Sequence, residues 1–206
     1  MVLKNFACTV PRYLSYLRLR KMVHLSGALF PVLAVYSGKE VALGLVLFLT
    51  LLFLGIDLIK PKIRSCLFFR LLWRKNEYEG FAIEPLLYLL SILSLLLLSY
   101  RLDEGICYAS IVVLAVGDGL ATIVGIHGKM CYGSSSKTIE GTIAGILGAA
   151  ICSLPFAGPT ALVGAITGMY VESRSGSHDN LTVPFAALLG MLAVQFLVNI
   201  YISITA

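Results

Sequence analysis

The segment Val116–Gly145, VGDGLATIVGIHGKMCYGSSSKTIEGTIAG, sets Asp118, Lys129, Lys137 and a Gly/Ser-rich turn between two otherwise apolar segments. About 20 mostly apolar residues suffice for a helix to cross a bilayer core. The segment therefore reads as two membrane helices joined by a polar loop. The rest of the chain agrees. Of 206 residues, 58% are hydrophobic and only 13% charged, and a mean hydropathy of +0.90 is too high for a water-soluble globule of this length. The fold class this predicts is all-α, a polytopic transmembrane helix bundle, with no nucleic-acid partner. The N-terminal residues MVLKNFACTVPRYLSYLRLRK lack a compact apolar region followed by a small-residue cleavage site, so no removable signal peptide is expected.

Outward from that segment, apolar runs predict seven spans, at about 22–37, 41–59, 81–100, 105–127, 138–156, 159–172 and 181–202. The first and sixth are short for a full crossing, which leaves a tilted, broken or re-entrant element open at both places. Residues 67–73, LFFRLLW, lie between basic clusters and read as an interfacial amphipathic helix. No repeat or linker divides the chain, so residues 1–206 are read as one domain. Lys4, Arg12, Arg18, Arg20 and Lys21 precede span one. Lys60, Lys62, Arg64, Arg70, Arg74 and Lys75 follow span two, Lys129 and Lys137 follow span four, and Arg174 follows span six. Only Lys39 and Arg101 fall on the other side. By the positive-inside rule the N-terminus is cytoplasmic and the C-terminus faces out. The membrane would be the plasma membrane of a prokaryote or the endoplasmic reticulum of a eukaryote.

Ionisable groups within spans cost about 2.5–3.5 kcal/mol each at mid-helix, and usually face a bundle interior or wet cavity. Here they are Arg20, Lys21 and His24, then Asp57, then Glu77, Glu79 and Glu84, then Asp118, Glu140, Glu172, His178, Asp179 and Asn180. Nearly all lie on the predicted cytoplasmic side, so one cavity open to the cytoplasm can gather them. Asp118 lies between two glycines, well below the headgroups, and needs a cation partner or a raised pKa. The loop Gly128–Thr138, GKMCYGSSSKT, supplies ammonium groups, hydroxyls and free backbone N–H donors at a helix N-terminus, which suits phosphate. It is not a Walker A loop, because Ser136 rather than glycine precedes Lys137.

Gly141-x-x-x-Gly145 reads as a face for close helix packing. Glu140 is either a helix-terminus charge or a Mg²⁺ ligand. Asp179 or Asn180 can cap span seven, which leaves Glu172 unexplained at the end of an apolar span. Asp118, Glu140, Glu172, Asp179 and Asn180 carry the oxygen donors Mg²⁺ takes. His24 and His178 read as structural histidines or headgroup contacts, and His127 as interfacial. The five cysteines show no C-x-x-C pair or metal-ligand spacing and read as small apolar residues.

Four blocks together resemble the integral-membrane lipid-alcohol kinases: dolichol (polyprenol) kinase, phytol kinase and the CTP-dependent diacylglycerol kinase. They are Arg20, Lys21, His24 and Gly27; Gly117, Asp118, Ala121, Gly125, Gly128 and Lys129; Lys137, Thr138, Glu140, Gly141, Thr142, Ala144 and Gly145; and Glu172 with Asp179, Asn180, Leu181, Thr182 and Pro184. The chain departs from the pattern at His178, where many relatives carry an acid. The resemblance implies transfer of the γ-phosphate of a nucleoside triphosphate, typically CTP, to the hydroxyl of a membrane lipid alcohol, with dolichol or polyprenol the leading acceptor class and Mg²⁺ as cofactor. On that reading Arg20, Lys21, Lys129, Gly133, Ser134, Ser135, Ser136, Lys137 and Thr138 hold the triphosphate. Asp118, with Glu140 or Asp179 and Asn180, holds the metal, and Lys137 acts with Asp118 or Glu172 in the chemistry. His24, Gly125 and Gly141 serve substrate or structure.

Two other classes compete. A CDP-alcohol transferase requires an Arg and a second Asp after Asp118-Gly119, and both are missing. A transporter would spread polar residues through the bilayer, whereas here they cluster on one side. Homo-oligomerisation through the glycine face of span five stays open.

Overall fold

The computed structural model describes residues 14–63, 80–133, 136–176 and 178–205. Within these, regular structure is helical apart from one isolated bridge between Cys131 and Thr138. α1 (Leu14–Leu25) passes through a 3₁₀ turn (Ser26–Ala28) into α2 (Leu29–Ser37), so the short first segment is a broken helix. α3 (Lys39–Ile63) and α4 (Ile83–Leu98) follow. α5 (Glu104–Val112) continues through a π-helical stretch (Val113–Gly117) into α6 (Asp118–Gly125). α7 (Ile139–Ala157), α8 (Thr160–Arg174) and α9 (Asp179–Thr205) complete the order. The amphipathic helix expected at residues 67–73 lies outside the described residues.

Four helices among the described residues are long and apolar enough to cross a membrane: Lys39–Ile59, Glu104–Gly125, Ile139–Ala157 and Asp179–Thr205. α4 and α8, with 16 and 15 residues, fall short by length, since at 1.5 Å per residue each covers only about 22–24 Å. The four are not equivalent. The protein buries 78% of the most apolar stretch of Glu104–Gly125, against 22–28% for the other three. The α5–α6 helix is therefore the central pillar, and the others present apolar side chains outward. Ile106–Val116 is buried at every position.

Small residues set how closely α7 approaches this pillar. A Cβ on Gly145 would lie 2.8 Å from the Gly117 carbonyl oxygen, and one on Gly141 would lie 2.5 Å from that of Ala121. Gly117, Ala121 and Gly125 recur every four residues on one helix face, opposite Gly141 and Gly145 on the other. The two backbones meet along that strip, the packing mode of small-xxx-small helices. Thr138 starts α7 by accepting the Gly141 N–H at 3.2 Å on its hydroxyl. Cys107 and Cys152 are free thiols. Cys131 is disulfide-bonded, a pairing that the scattered cysteine spacing did not announce.

Candidate functional site

The π-helical stretch Val113–Gly117 ends at Asp118. Such insertions disturb the i→i−4 ladder locally. His24 Nε2 lies 3.2 Å from the Leu114 carbonyl oxygen and 3.1 Å from Asp118 Oδ2. Both are acceptors, so Nε2 carries the proton. Lys21 Nζ donates to the same Asp118 oxygen at 2.5 Å. Lys21 and His24 are three apart on α1, which places both on one face.

Asp118 is 5% exposed and therefore has the cation partner that its depth requires. Losing one member of such a buried pair typically costs about 3–5 kcal/mol, because the other charge is stranded. Tyr88 closes this corner: its hydroxyl donates to the His24 carbonyl at 2.5 Å, and its ring lies 4.1 Å from the imidazole. Gly27 is required beneath it, since a Cβ there would fall 1.7 Å from the Tyr88 oxygen.

A second cluster forms where α7, α8 and α9 meet. Lys137, just ahead of α7, places Nζ 3.0 Å from Glu172 Oε1 and 2.8 Å from Asp179 Oδ2, and donates to the Glu172 carbonyl as well. Burial pulls the Lys137 pKa down, but the hydrogen bond to Asp179 and the charges of Glu172 and Asp179 prevail and hold it above 10.5. Glu172 itself is 6% exposed. Met169, one turn earlier on α8, packs its sulfur 2.7 Å from where a Cβ on Gly117 would stand, so the Glu172 turn lies over the Asp118 corner. The two clusters thus adjoin across the Gly117–Met169 contact.

Glu84, at the head of α4, ties the last loop to this unit. Asn180 Nδ2 donates to the Glu84 carbonyl at 2.9 Å and to its Oε2 at 3.2 Å, and His178 Nδ1 lies 3.4 Å from Oε1. Asn180 therefore spends its amide on α4 rather than on capping its own helix. Among the described residues, Asp179 Oδ1 is buried without a hydrogen-bond partner.

The loop ahead of α7 is a short hairpin: Tyr132 N–H donates to the Lys137 carbonyl at 3.0 Å, and Ile139 N–H to that of Met130 at 2.8 Å. Glu140 braces it, accepting from the Lys129 N–H at 2.9 Å and the Met130 N–H at 3.2 Å. Thr138 is buried and its hydroxyl reaches the Gly125 carbonyl at 3.4 Å. The Lys129 side chain, Gly133 and Ser136 are exposed, and Gly133 takes a positive φ of 57° at the turn. Ser134 and Ser135 lie outside the described residues. Arg20 is half-buried beside Lys21.

Of the predicted residues, Lys21, His24, Asp118, Lys137, Glu172, Asp179 and Asn180 thus join one polar unit, while Gly125 and Gly141 shape the helix contact beneath it. Glu140 stands apart, engaged with backbone N–H groups. Among the described residues no three His, Cys, Asp or Glu side chains are grouped as a metal cage. Sequence reasoning missed the roles of Glu84 and Tyr88. Their one signal is a glutamate and a tyrosine four apart, hence on one face, at the head of a Leu-rich helix.

No family model matches the chain, and no solved structure does. An uncharacterized protein of Methanocaldococcus jannaschii is 36% identical over 100 residues. The match covers 47% of this chain and 49% of that relative, so the chain spans about half the relative's length.

Proposed function

We propose that the protein is an integral-membrane lipid-alcohol kinase that transfers the γ-phosphate of a nucleoside triphosphate, with CTP the leading donor, to the hydroxyl of a membrane lipid of the polyprenol class. The observation that carries this reading is the convergence of four distant sequence blocks. Lys21 and His24 meet Asp118, and Lys137 meets Glu172 and Asp179, in two adjoining clusters. Seven membrane-crossing elements with a cytoplasmic N-terminus belong to the same reading. The broken α1–α2 element, α4 and α8 then serve as the shorter crossings, and the lysine and arginine asymmetry places the site on the cytoplasmic face.

Phosphoryl transfer asks a protein mainly for positioning and charge stabilisation. In the ligand-free arrangement both lysines are neutralised by carboxylates. A triphosphate competes for Lys21 and Lys137, and its arrival releases Asp118, Glu172 and Asp179 for new partners. The lipid hydroxyl oxygen then attacks the γ-phosphorus and the bond to the β-phosphate bridging oxygen breaks. The hydroxyl proton passes to Asp118 or Glu172, and the nucleoside diphosphate leaves.

Mg²⁺ fits this donor set. It takes hard oxygen ligands, and Asp179 Oδ1 is a buried oxygen still lacking a partner. Asp118, Asp179 and Asn180 are the residues that would hold it, where it would offset the charge of the transferring phosphate. Glu140 drops out of that set, because its carboxylate braces the hairpin.

The test is transfer of labelled γ-phosphate by the purified protein, crossing CTP, ATP, GTP and UTP with polyprenol, phytol or geranylgeraniol, and diacylglycerol. Label in the lipid phase with release of nucleoside diphosphate supports the proposal. Release of pyrophosphate, or no labelled lipid with any pair, overturns it.

A further inference from the structure

Beside the Lys137 cluster lies an open cleft of about 490 Å³ lined by Tyr132, Gly133, Ser173, Arg174, Ser175 and Gly176. That volume falls within the roughly 300–1,000 Å³ of small-molecule sites. Its two walls both start at Lys137. On one side the Tyr132 N–H is bonded to the Lys137 carbonyl, so the aromatic residue and the lysine share one turn. On the other side the Lys137 ammonium reaches the carbonyl of Glu172, the residue immediately before Ser173. Whatever anion Lys137 holds therefore has this cleft as its neighbour.

Tyr132 offers an aromatic face and Ser175 lines the rim. The Arg174 guanidinium lies over the Tyr170 ring, 5.5 Å from its centroid, with its fork of donors at the cleft, while the Ser173 hydroxyl donates to the Tyr170 carbonyl at 2.8 Å. A Cβ built on Gly133 or Gly176 would meet nothing within 4 Å, so these backbones leave room above them. Stacking faces with a guanidinium and hydroxyls suit a flat, polar heterocycle and its sugar.

From this we infer that the cleft seats the nucleoside of the phosphate donor, with the base on Tyr132 and its edge read by Arg174. The inference rests on the kinase reading above and adds to it the residues that select the base. Arg carries only donors, arranged as a fork, so it matches a base edge with two adjacent acceptors. The O2 and N3 edge of cytosine is such an edge. The corresponding edges of adenine and uracil each set a donor beside an acceptor, and the fork rejects them.

Binding of CTP and of inorganic tripolyphosphate to the full-length protein in detergent separates the parts. Tyr132→Ala and Arg174→Ala should each weaken CTP about tenfold, the scale of a lost base-stacking contact. Tripolyphosphate affinity should stay unchanged. Tyr132→Phe should restore CTP binding, and Arg174→Lys should not, while Arg174→Ala should also erase the preference of the wild type for CTP over ATP and UTP. Unchanged CTP affinity in both alanine variants, or equal losses for CTP and tripolyphosphate, overturns the cleft assignment while leaving the kinase reading intact. Failure of the wild type to bind either compound overturns both.

Discussion

Lys21 Nζ lies 2.5 Å from Asp118 Oδ2, although the two residues are 97 positions apart in the chain. The contact locks the end of α1 to the central helix at the point where its π-helical stretch ends. His24, on the same face of α1, secures the same carboxylate oxygen at 3.1 Å. One carboxylate thus joins the first and central helices of the bundle.

This pair should behave as a unit in stability and as separate parts in activity. Asp118→Leu and Lys21→Met should each lower thermal stability in detergent, by up to about 3–5 kcal/mol, because each strands the other charge. The double variant Lys21→Met with Asp118→Leu should recover much of that loss and remain inactive. Additive losses in the double-mutant cycle would contradict a direct pair.

The helix strip beneath the site gives a steric prediction. Gly145→Ala puts a methyl group 2.8 Å from the Gly117 carbonyl oxygen, a backbone atom that has no rotamer to escape by. Overpacking of this kind costs about 1–3 kcal/mol. Gly44→Ala, within α3 and with nothing within 4 Å of its added Cβ, should be neutral or slightly stabilising. Detergent melting curves compare the two, and equal effects would count against the strip.

Lys137 sets an alkaline limit. Its folded pKa lies above 10.5, with burial opposing and the Asp179 and Glu172 carboxylates prevailing. A group whose folded pKa exceeds its unfolded value contributes stability that is whole below the unfolded value and fades as pH rises through the folded one. The wild type should therefore lose melting temperature progressively above about pH 10.5. Lys137→Met, lacking that contribution, should be flatter over the same window; parallel curves would show that the contacts contribute nothing.

On the proposed reading Glu84 acts as a positioning residue, reaching the site among the described residues through Asn180 and His178. Glu84→Ala should raise the nucleotide KM by up to about tenfold, the cost of roughly one lost hydrogen bond to a charged group, with kcat little changed. Glu84→Gln, whose side-chain carbonyl still accepts from Asn180, should recover most of it. A pure loss of kcat in both variants would place Glu84 elsewhere in the mechanism.

The parts of this architecture that are local are legible in the sequence. Thr138 sits where an N-cap belongs, and Gly141-x-x-x-Gly145 announces a close helix contact whatever the partner. Asp118 was readable as a buried charge in need of a cation, because the cost of burial holds for any fold. Choosing Lys21 for it was not, since a separation of 97 positions carries no local signal. Glu140 read either as a helix-terminus charge or as a metal ligand, and the hairpin N–H groups that it accepts from came only with the structure. The π-helical stretch Val113–Gly117 has an ordinary apolar sequence, so the contact of the Leu114 carbonyl with His24 came only with the structure. Glu84 and Tyr88 went unassigned because their partners lie on α9 and α1.

The most direct test of the account is transfer of label from γ-labelled CTP to polyprenol by the purified wild type and by Asp118→Asn side by side. The account predicts labelled polyprenyl phosphate and CDP from the wild type, and loss of both from a variant that still elutes as an assembled protein. Near-normal turnover by Asp118→Asn, or no labelled lipid from the wild type, would contradict it.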